Sequence, residues 1–304
     1  LPDSKSWQHN RWGYGPWVDG LFRQGNMGVV TKMGFHLMPR PEAMQSATVV
    51  VTRAEDVVPL LDTVNLLENQ HVVNGSTQLF GGGAQWQVQV PIYGPEKVVR
   101  AQMEYCKEKF SRIAGSRFTE GELFRTPLDV ATLNRVRKVN FGVPDLSTFA
   151  MLGRNAQNPA PPGGHIGFSP IIPRTGEAVL EYSKFYRDNL AALSEGGALR
   201  FQGPVFMTNW DRTLVAMIMF PIGRDKVMNA KMRAAFEKWV QLAATRGWAE
   251  YRAPAAFQDL VAKTYSYNNH SLTRMRETIK DALDPNGILS PGRYGVWPKH
   301  LRNV

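Results

Sequence analysis

The sequence predicts an α+β fold in which helices cover one side of an antiparallel sheet. Three observations indicate this fold. Residues 87–93 alternate Val and Ile with polar side chains, as a half-buried strand does. The helical segment that follows places apolar residues three and four positions apart, which gives one buried face. The same succession of strands and helices recurs between residues 165 and 247.

The first round begins with a β-branched strand at Ala47–Thr52 and a helix at Ala54–Gln70. The buried face of the next helix comprises Val99, Met103, Cys106, Phe110 and Ile113. Because Cys106 is the single cysteine, an internal disulfide and a cysteine-based metal cluster are both excluded, and we expect this side chain in the core. Residues 115–147 show little periodicity.

The second round predicts three strands and two helices. The strands are His165–Ile172, Leu199–Thr208 and Thr213–Phe220, and the first helix is Glu177–Leu193. The apolar face of the second helix comprises Met228, Met232, Phe236, Trp239 and Ala243, with Gly247 as its C-cap. Residues 249–304 predict two short helices and a tail rich in Pro and Gly.

Residues 1–40 differ in texture because they are rich in Gly and aromatic side chains. We expect tight turns that lead into a strand at Gly28–Leu37. The Pro-bounded stretch Met38–Pro41 then predicts a crossing between domains.

Composition places the chain among globular proteins, with 43% hydrophobic and 20% charged residues. No apolar run approaches the ~20 residues of a membrane helix. The start at Leu1 has neither an initiator Met nor a signal-peptide pattern, which favours an internal or processed start. We expect a cytoplasmic protein, with the periplasm or peroxisome as alternatives.

The net charge is +10, but the 36 Lys and Arg residues form no dense basic run. This distribution favours an enzyme that attracts anionic ligands, such as a dinucleotide pyrophosphate or a phenolate, over a nucleic-acid-binding protein. The phosphate-binding, zinc-protease and serine-hydrolase motifs are absent, and the six histidines lack metal-ligand spacing.

Three places in the sequence could carry chemistry. The five glycines from Gly13 to Gly28 allow backbone N–H groups to hold phosphate or flavin oxygens, although an ordinary turn has the same pattern. His165 stands where a loop enters a strand, a position that a partly buried structural histidine also occupies. Tyr251 and Arg252 could hold a phenolate by hydrogen bond and permanent charge, or could be ordinary surface residues.

These three places, taken together and with the tail, resemble a known family. The stretch Gly13–Pro41, which contains Gly-Asn-Met-Gly-Val-Val-Thr-Lys-Met-Gly, resembles the vanillyl-alcohol oxidase / 4-cresol methylhydroxylase family. The tail Asp284–Arg293, Asp-Pro-Asn-Gly-Ile-Leu-Ser-Pro-Gly-Arg, resembles a wider flavoprotein superfamily that includes D-lactate dehydrogenases. Its continuation through Arg302 is similar to the narrower family, and the resemblance extends over the whole chain.

The resemblance implies part of a two-domain FAD-linked oxidase fold. Residues 1–40 and 248–304 would belong to the FAD-binding domain, and 41–247 to a substrate-binding cap built on the antiparallel sheet. The N-terminal FAD-binding subdomain of the family has no counterpart here. We therefore expect a second chain or a separate piece to supply it, and a homo-oligomer. The other partners expected are a small phenolic substrate and O₂, with no nucleic acid and no membrane.

The resemblance also implies roles for individual residues. His165 resembles the histidine that carries covalent FAD in the family's oxidases, and Tyr251 and Arg252 resemble the pair that binds the phenol oxygen. Arg137 resembles an arginine close to the site. The residues expected to contact FAD are His165, Gly25, Asn26, Gly28, Val29, Val30 and Arg293. Gly167 and Phe201 are expected to line the substrate pocket, with room at Gly167 for a longer substituent.

The implied reaction is the oxidation of para-substituted phenols of the vanillyl alcohol, eugenol or 4-alkylphenol type. Hydride passes from the para α-carbon to flavin N5, a quinone methide forms, and O₂ reoxidises the flavin. A methylhydroxylase that passes electrons to a cytochrome is the first alternative. A D-2-hydroxy-acid dehydrogenase has the support of the tail alone. A non-catalytic basic interaction domain is the alternative from another class.

Overall fold

The computed structural model describes residues 15–144, 164–210 and 212–302, with the side chains of 208–210 left out. The chain divides into two compact units. The first holds the described residues up to Pro39 together with those from Val240 onward. The second runs from Arg40 to Trp239.

The second unit is built on an eight-stranded sheet. Its strands are β1 Ala43–Val51, β2 Gln78–Gly82, β3 Gln85–Gly94, β4 Arg117–Arg125, β5 Gly164–Phe168, β6 Ile171–Pro173, β7 Gln202–Trp210 and β8 Thr213–Ile222. Their order is β4-β1-β3-β2-β7-β8-β5, and β6 also pairs with β8. Every described pairing is antiparallel, which confirms the predicted sheet.

The helices alternate with these strands along the chain. Those of the second unit are α1 Val57–Asn69, α2 Glu96–Phe110, α3 Val130–Arg135 and α4 Gly176–Leu193, and α5 Lys226–Ala244 runs past its end. The first unit contains α6 Gln258–Thr264 and α7 Tyr267–Leu283. The α+β prediction is therefore confirmed.

One face of the sheet carries the packing against α4 and α5. Directly paired residues point to the same face, and Phe206 pairs with Ala216 as Phe168 pairs with Ile218. The Phe206 ring lies 6.1 Å from Tyr182 of α4, and the Phe168 ring lies 5.9 Å from Phe236 of α5. Both helices therefore cover the same side of the sheet.

The predicted apolar stripes of α2 and α5 are buried in the core. The buried members are Val99, Met103, Cys106 and Phe110 of α2, and Met232, Phe236, Trp239 and Ala243 of α5. Full burial of each large member stabilises the fold by about 1.5–3 kcal/mol. Burial also raises the pKa of Cys106 to about 12, so its thiol stays protonated and unreactive.

Two strand predictions need correction. The strand expected at Gly28–Leu37 is wrong, because residues 28–41 have no helix or strand and no described strand lies beside them to complete a ladder. The strand expected at His165–Ile172 is two strands, β5 and β6. They separate at Ser169 and Pro170, where proline has no N–H to donate.

One strand was missed by the sequence pattern. Strand β4 lies within residues that show little periodicity, at the edge of the sheet, and most of its side chains are exposed. An edge strand without a buried face gives no apolar alternation to detect. Its pairing with β1 is irregular between Gln45 and Ala47. A Cβ at Gly121 would lie 2.7 Å from the Ser46 carbonyl oxygen, so this crossing requires glycine.

The first unit is organised around a buried ammonium group. Lys280 of α7 is fully buried, and its Nζ donates to Asp284 Oδ2 at 2.6 Å, to the Leu289 carbonyl at 2.7 Å and to the Asn26 carbonyl at 2.7 Å. The Asp284 carboxylate also accepts from the N–H groups of Ile288 and Leu289 at 3.0 and 2.8 Å. The tail turn is thus closed by charge-assisted hydrogen bonds.

We predict that Gly176→Ala destabilises the second unit. A Cβ at Gly176, the first residue of α4, would lie 2.3 Å from Val58 Cα and 2.6 Å from Val58 N of α1. Backbone atoms cannot turn aside, so we expect a loss of about 1–3 kcal/mol in the free energy of unfolding by urea. The control is Gly223→Ala, whose Cβ would meet nothing within 4 Å. Equal stability of the two variants would contradict this packing.

We predict that Asp284 makes the first unit sensitive to acid. Hydrogen bonds from Lys280 and then from the Leu289 N–H lower the pKa of Asp284 from 3.8 to about 2. A lowered pKa in the folded state means that the stabilisation is complete above pH 3.8 and is lost as the pH falls towards 2. In urea unfolding, the difference in the free energy of unfolding between wild type and Asp284→Asn should narrow below about pH 4. A gap that does not change with pH would rule out this ion pair.

Candidate functional site

A cavity of about 190 Å³ in the first unit brings together four residues that the sequence predicted for the site. These are Gly25, Asn26, Tyr251 and Arg293. They come from the Gly-rich segment, from the link between α5 and α6, and from the tail. Three larger cavities, of about 340, 400 and 500 Å³, contain none of the predicted residues.

Asn26 is the most constrained residue of this cavity. Its side-chain Nδ2 donates to the carbonyl oxygens of Ser290 and Val296 at 3.1 and 3.0 Å, which ties the Gly-rich segment to the tail. Its Oδ1 is buried and has no hydrogen-bond partner within the described chain. A buried acceptor left unpaired costs about 1–3 kcal/mol, so this atom favours a ligand that donates an N–H or O–H.

Three arginines give the cavity a positive lining: Arg23, Arg276 and Arg293. None of the three forms a salt bridge with a carboxylate of the described residues. The Arg293 guanidinium lies 4.8 Å from the Tyr294 ring centre, and that of Arg23 lies 5.6 Å from the Trp17 ring centre. Unpaired guanidinium groups favour a ligand with carbonyl or anionic oxygens. Arg23 and Arg276 were not among the site residues predicted from the sequence, since a single arginine has no distinguishing pattern.

Tyr251 and Arg252 lie side by side in the segment before α6. The Arg252 guanidinium is 5.5 Å from the Tyr251 ring centre, so the two side chains contact each other. Tyr251 lines the cavity, and Arg252 is exposed. The Tyr265 hydroxyl donates to the Glu250 carbonyl at 2.6 Å and anchors this segment to α6 and α7. Burial raises the pKa of Tyr265, which keeps the donor protonated.

Gly28, Val29 and Val30 lie beyond the residues that line the cavity. A Cβ at Gly28 would lie 2.7 Å from the Phe22 ring, so glycine lets the exposed Phe22 ring lie close to this backbone. The segment that follows is strongly apolar and exposed. Its exposed members are Val29, Val30, Met33, Phe35, Leu37 and Met38. In the Gly- and aromatic-rich segment before it, Trp17 and Phe22 are also exposed, whereas Trp12 and Tyr14 lie outside the described residues.

In the second unit, His165 and Gly167 lie on β5 at the edge of the sheet. They pair with Pro221 and Met219 of β8 and alternate with Phe168. Because Phe168 points towards α5, His165 and Gly167 point to the opposite face. His165 is exposed, and a Cβ at Gly167 would meet only the Ser169 hydroxyl, at 3.7 Å, which leaves space there.

The remaining two predicted residues lie elsewhere in the second unit. The Phe201 ring is 4.9 Å from Phe220 and 6.4 Å from Trp239, so it packs among core side chains. Arg137 is exposed and precedes the short 3-10 helix Lys138–Phe141. Their roles at the site stay predictions.

The part of the chain that the structure describes contains neither a metal-binding cluster nor a membrane-spanning helix. No group of three or more His, Cys, Asp or Glu side chains there could hold a metal ion. None of its helices is long and apolar enough to cross a membrane.

Two curated proteins are similar to nearly the whole chain. The 4-cresol dehydrogenase [hydroxylating] flavoprotein subunit of Pseudomonas putida is 26% identical over 97% of this chain and 60% of its own length. The 1'-carboxy-chondrochloren decarboxylase of Chondromyces crocatus is 24% identical over 98% of this chain and 65% of its own length. No protein-family profile matches.

Solved structures share the fold. The 4-ethylphenol oxidase from Gulosibacter chungangensis, in complex with isoeugenol, superposes with a TM-score of 0.79 and 28% identity over 99% of this chain and 63% of its own. A substrate-bound p-cresol methylhydroxylase superposes with a TM-score of 0.77 at 23% identity, over 98% of this chain and 61% of its own, which supports the fold. The chain thus spans 60% to 65% of the length of these relatives, and it is a homologue of flavoproteins of the vanillyl-alcohol oxidase / 4-cresol methylhydroxylase family.

Proposed function

We propose that the protein acts in the FAD-dependent oxidation of para-substituted phenols at the α-carbon of the para substituent. The observation that carries the proposal is the cavity where Asn26 and Arg293, predicted to contact FAD, meet Tyr251, predicted to bind the phenol. The names of two relatives, 4-cresol dehydrogenase and 4-ethylphenol oxidase, supply the substrate class.

The cavity lining fits one end of a flavin. The unpaired Asn26 Oδ1 would accept from a ring N–H, and the guanidinium groups of Arg23, Arg276 and Arg293 would donate to ring carbonyl oxygens. At about 190 Å³ the cavity is smaller than the roughly 300–1,000 Å³ of a complete small-molecule site. The rest of FAD, including its pyrophosphate, therefore requires further residues.

Tyr251 and Arg252 are proposed to hold the substrate as its phenolate. A free phenol has a pKa of about 10. A guanidinium charge and a phenolic hydroxyl donor lower the pKa of a bound phenol, because both stabilise its phenolate form. The electron density of the phenolate weakens the α-carbon–hydrogen bond for hydride loss and gives a para-quinone methide, which takes up water or loses a proton. When bound, the flavin supplies the hydride acceptor.

His165 is proposed to carry the flavin covalently, and O₂ is proposed as the electron acceptor. His165 is exposed on an edge strand, which supports a role in attachment. The open space at Gly167 supports a substrate with a longer para substituent. A cytochrome acceptor is the second candidate. It is favoured by the similarity to a flavoprotein subunit, a name that implies a further subunit in that relative.

We further propose that another polypeptide segment covers residues 28–38. The apolar side chains exposed there, such as Val29, Phe35 and Leu37, form a surface of the kind that drives association. An FAD-binding segment, supplied as a second chain or a separate piece, is the proposed occupant, within a homo-oligomer.

The attachment proposal predicts that peptide mapping of the flavin-loaded protein recovers flavin on the peptide that contains Gly164, His165 and Ile166. His165→Ala should retain FAD without a covalent bond and reduce it more slowly, because attachment raises the redox potential. His300→Ala, which removes another exposed histidine, should leave the flavin covalently bound. Flavin on a tyrosine peptide, or fully released by acid, would overturn the assignment.

The phenolate proposal predicts that Arg252→Lys slows flavin reduction by 4-ethylphenol about tenfold or more, or about 1.4 kcal/mol. Lysine keeps the charge but loses the planar fork of the guanidinium. Rapid-mixing absorbance under anaerobic conditions measures this rate. The control is Arg112→Lys, which changes an exposed arginine paired with Glu108 in the second unit. If Arg252→Lys reduced at the wild-type rate, Arg252 would lie outside the site.

A further inference from the structure

The three acceptors around Lys280 belong to three different parts of the first unit. Asp284 lies at the end of α7, Leu289 lies in the tail, and Asn26 lies in the Gly-rich segment. An ammonium group has three N–H donors, so all three are used. Because Lys280 is fully buried, no water competes for these bonds. The position of the Asn26 backbone is therefore coupled to the ion pair.

The Asn26 side chain has one orientation in this setting. Both amide hydrogens point at tail carbonyl oxygens, those of Ser290 and Val296. A flipped carboxamide would set its oxygen against the same two oxygens, which is repulsive. The hydrogen bond from Lys280 fixes the Asn26 backbone carbonyl, and the two hydrogen bonds from Nδ2 fix the carboxamide. Oδ1 is thus held in place as an acceptor without a partner among the described residues, at a residue that lines the cavity.

Helix α7 supplies a second cavity residue from the same face. Arg276 lies four positions before Lys280, and residues at that spacing are neighbours on one side of a helix. Arg276 lines the cavity together with Arg23 and Arg293. The cavity is therefore lined by three guanidinium donors and by Asn26, whose Oδ1 is an acceptor without a partner among the described residues.

An acceptor among donors is complementary to an imide, in which one N–H lies between two carbonyl groups. A carboxylate or a simple ketone would leave Asn26 Oδ1 unpaired, which costs about 1–3 kcal/mol. We propose that Lys280 is a positioning residue: it fixes Asn26 so that Asn26 Oδ1 accepts a hydrogen bond from the imide N–H at the pyrimidinedione end of the flavin. This inference rests on the proposed function, since it assumes that the bound ring is a flavin.

The test compares two probes, lumiflavin and N3-methyllumiflavin, the second of which lacks the imide hydrogen. The protein is prepared without flavin, and binding is followed by flavin fluorescence. Wild type should bind lumiflavin about tenfold or more tightly than the methylated probe. Lys280→Met combined with Asp284→Asn removes both charges, which avoids leaving one buried charge unpaired. In this variant we expect the preference to fall to about threefold or less, with weaker lumiflavin binding.

Two further variants separate positioning from folding. Asn26→Leu removes the acceptor itself and should abolish the preference, whereas Lys299→Met, at an exposed lysine of the same unit, should retain it. The inference is overturned if the double variant folds and keeps the preference, if Asn26→Leu keeps it, or if wild type binds both probes equally. Wild type that binds neither lumiflavin nor FAD would overturn the proposed function, and the inference with it.

Discussion

The ammonium group of Lys280 is fully buried, and each of its three N–H groups donates a hydrogen bond to a different part of the first unit. This arrangement links α7, the tail and the Gly-rich segment, and it fixes Asn26 beside Tyr251 and Arg293. Removal of either charge would leave the other buried without its countercharge, which typically costs about 3–5 kcal/mol. The position of Asn26 at the cavity therefore depends on this ion pair.

The second unit has a different physical basis, because its sheet is held by aromatic packing against α4 and α5 on one face. That packing assigns the opposite face to His165 and Gly167. Position at a sheet edge leaves His165 exposed, and glycine at position 167 leaves open space beside it. A rigid scaffold thus presents the two residues for which the sequence predicted contact with cofactor and substrate.

Elements with a strong apolar period were predicted well from sequence, as the buried stripes of α2 and α5 show. Strand β4 was missed because both faces of this edge strand are largely exposed, so its sequence does not alternate between apolar and polar residues. The strand at Gly28–Leu37 was predicted wrongly because apolar character alone cannot supply a pairing partner. Gly25, Asn26, Tyr251 and Arg293 were named by resemblance and meet in one cavity. Lys280 and Arg276 carry no local signal, since their importance arises from contacts between distant segments.

The central claim is that a para-alkylphenol gives up hydride from its phenolate form to a flavin held by this protein. Anaerobic mixing of the flavin-loaded protein with 4-ethylphenol, and separately with 4-ethylanisole, tests it most directly. The methyl ether has the same alkyl group but cannot form a phenolate. We expect 4-ethylphenol to bleach the flavin absorbance and 4-ethylanisole to leave it unchanged. Equal reduction by both compounds, or by neither, would contradict it.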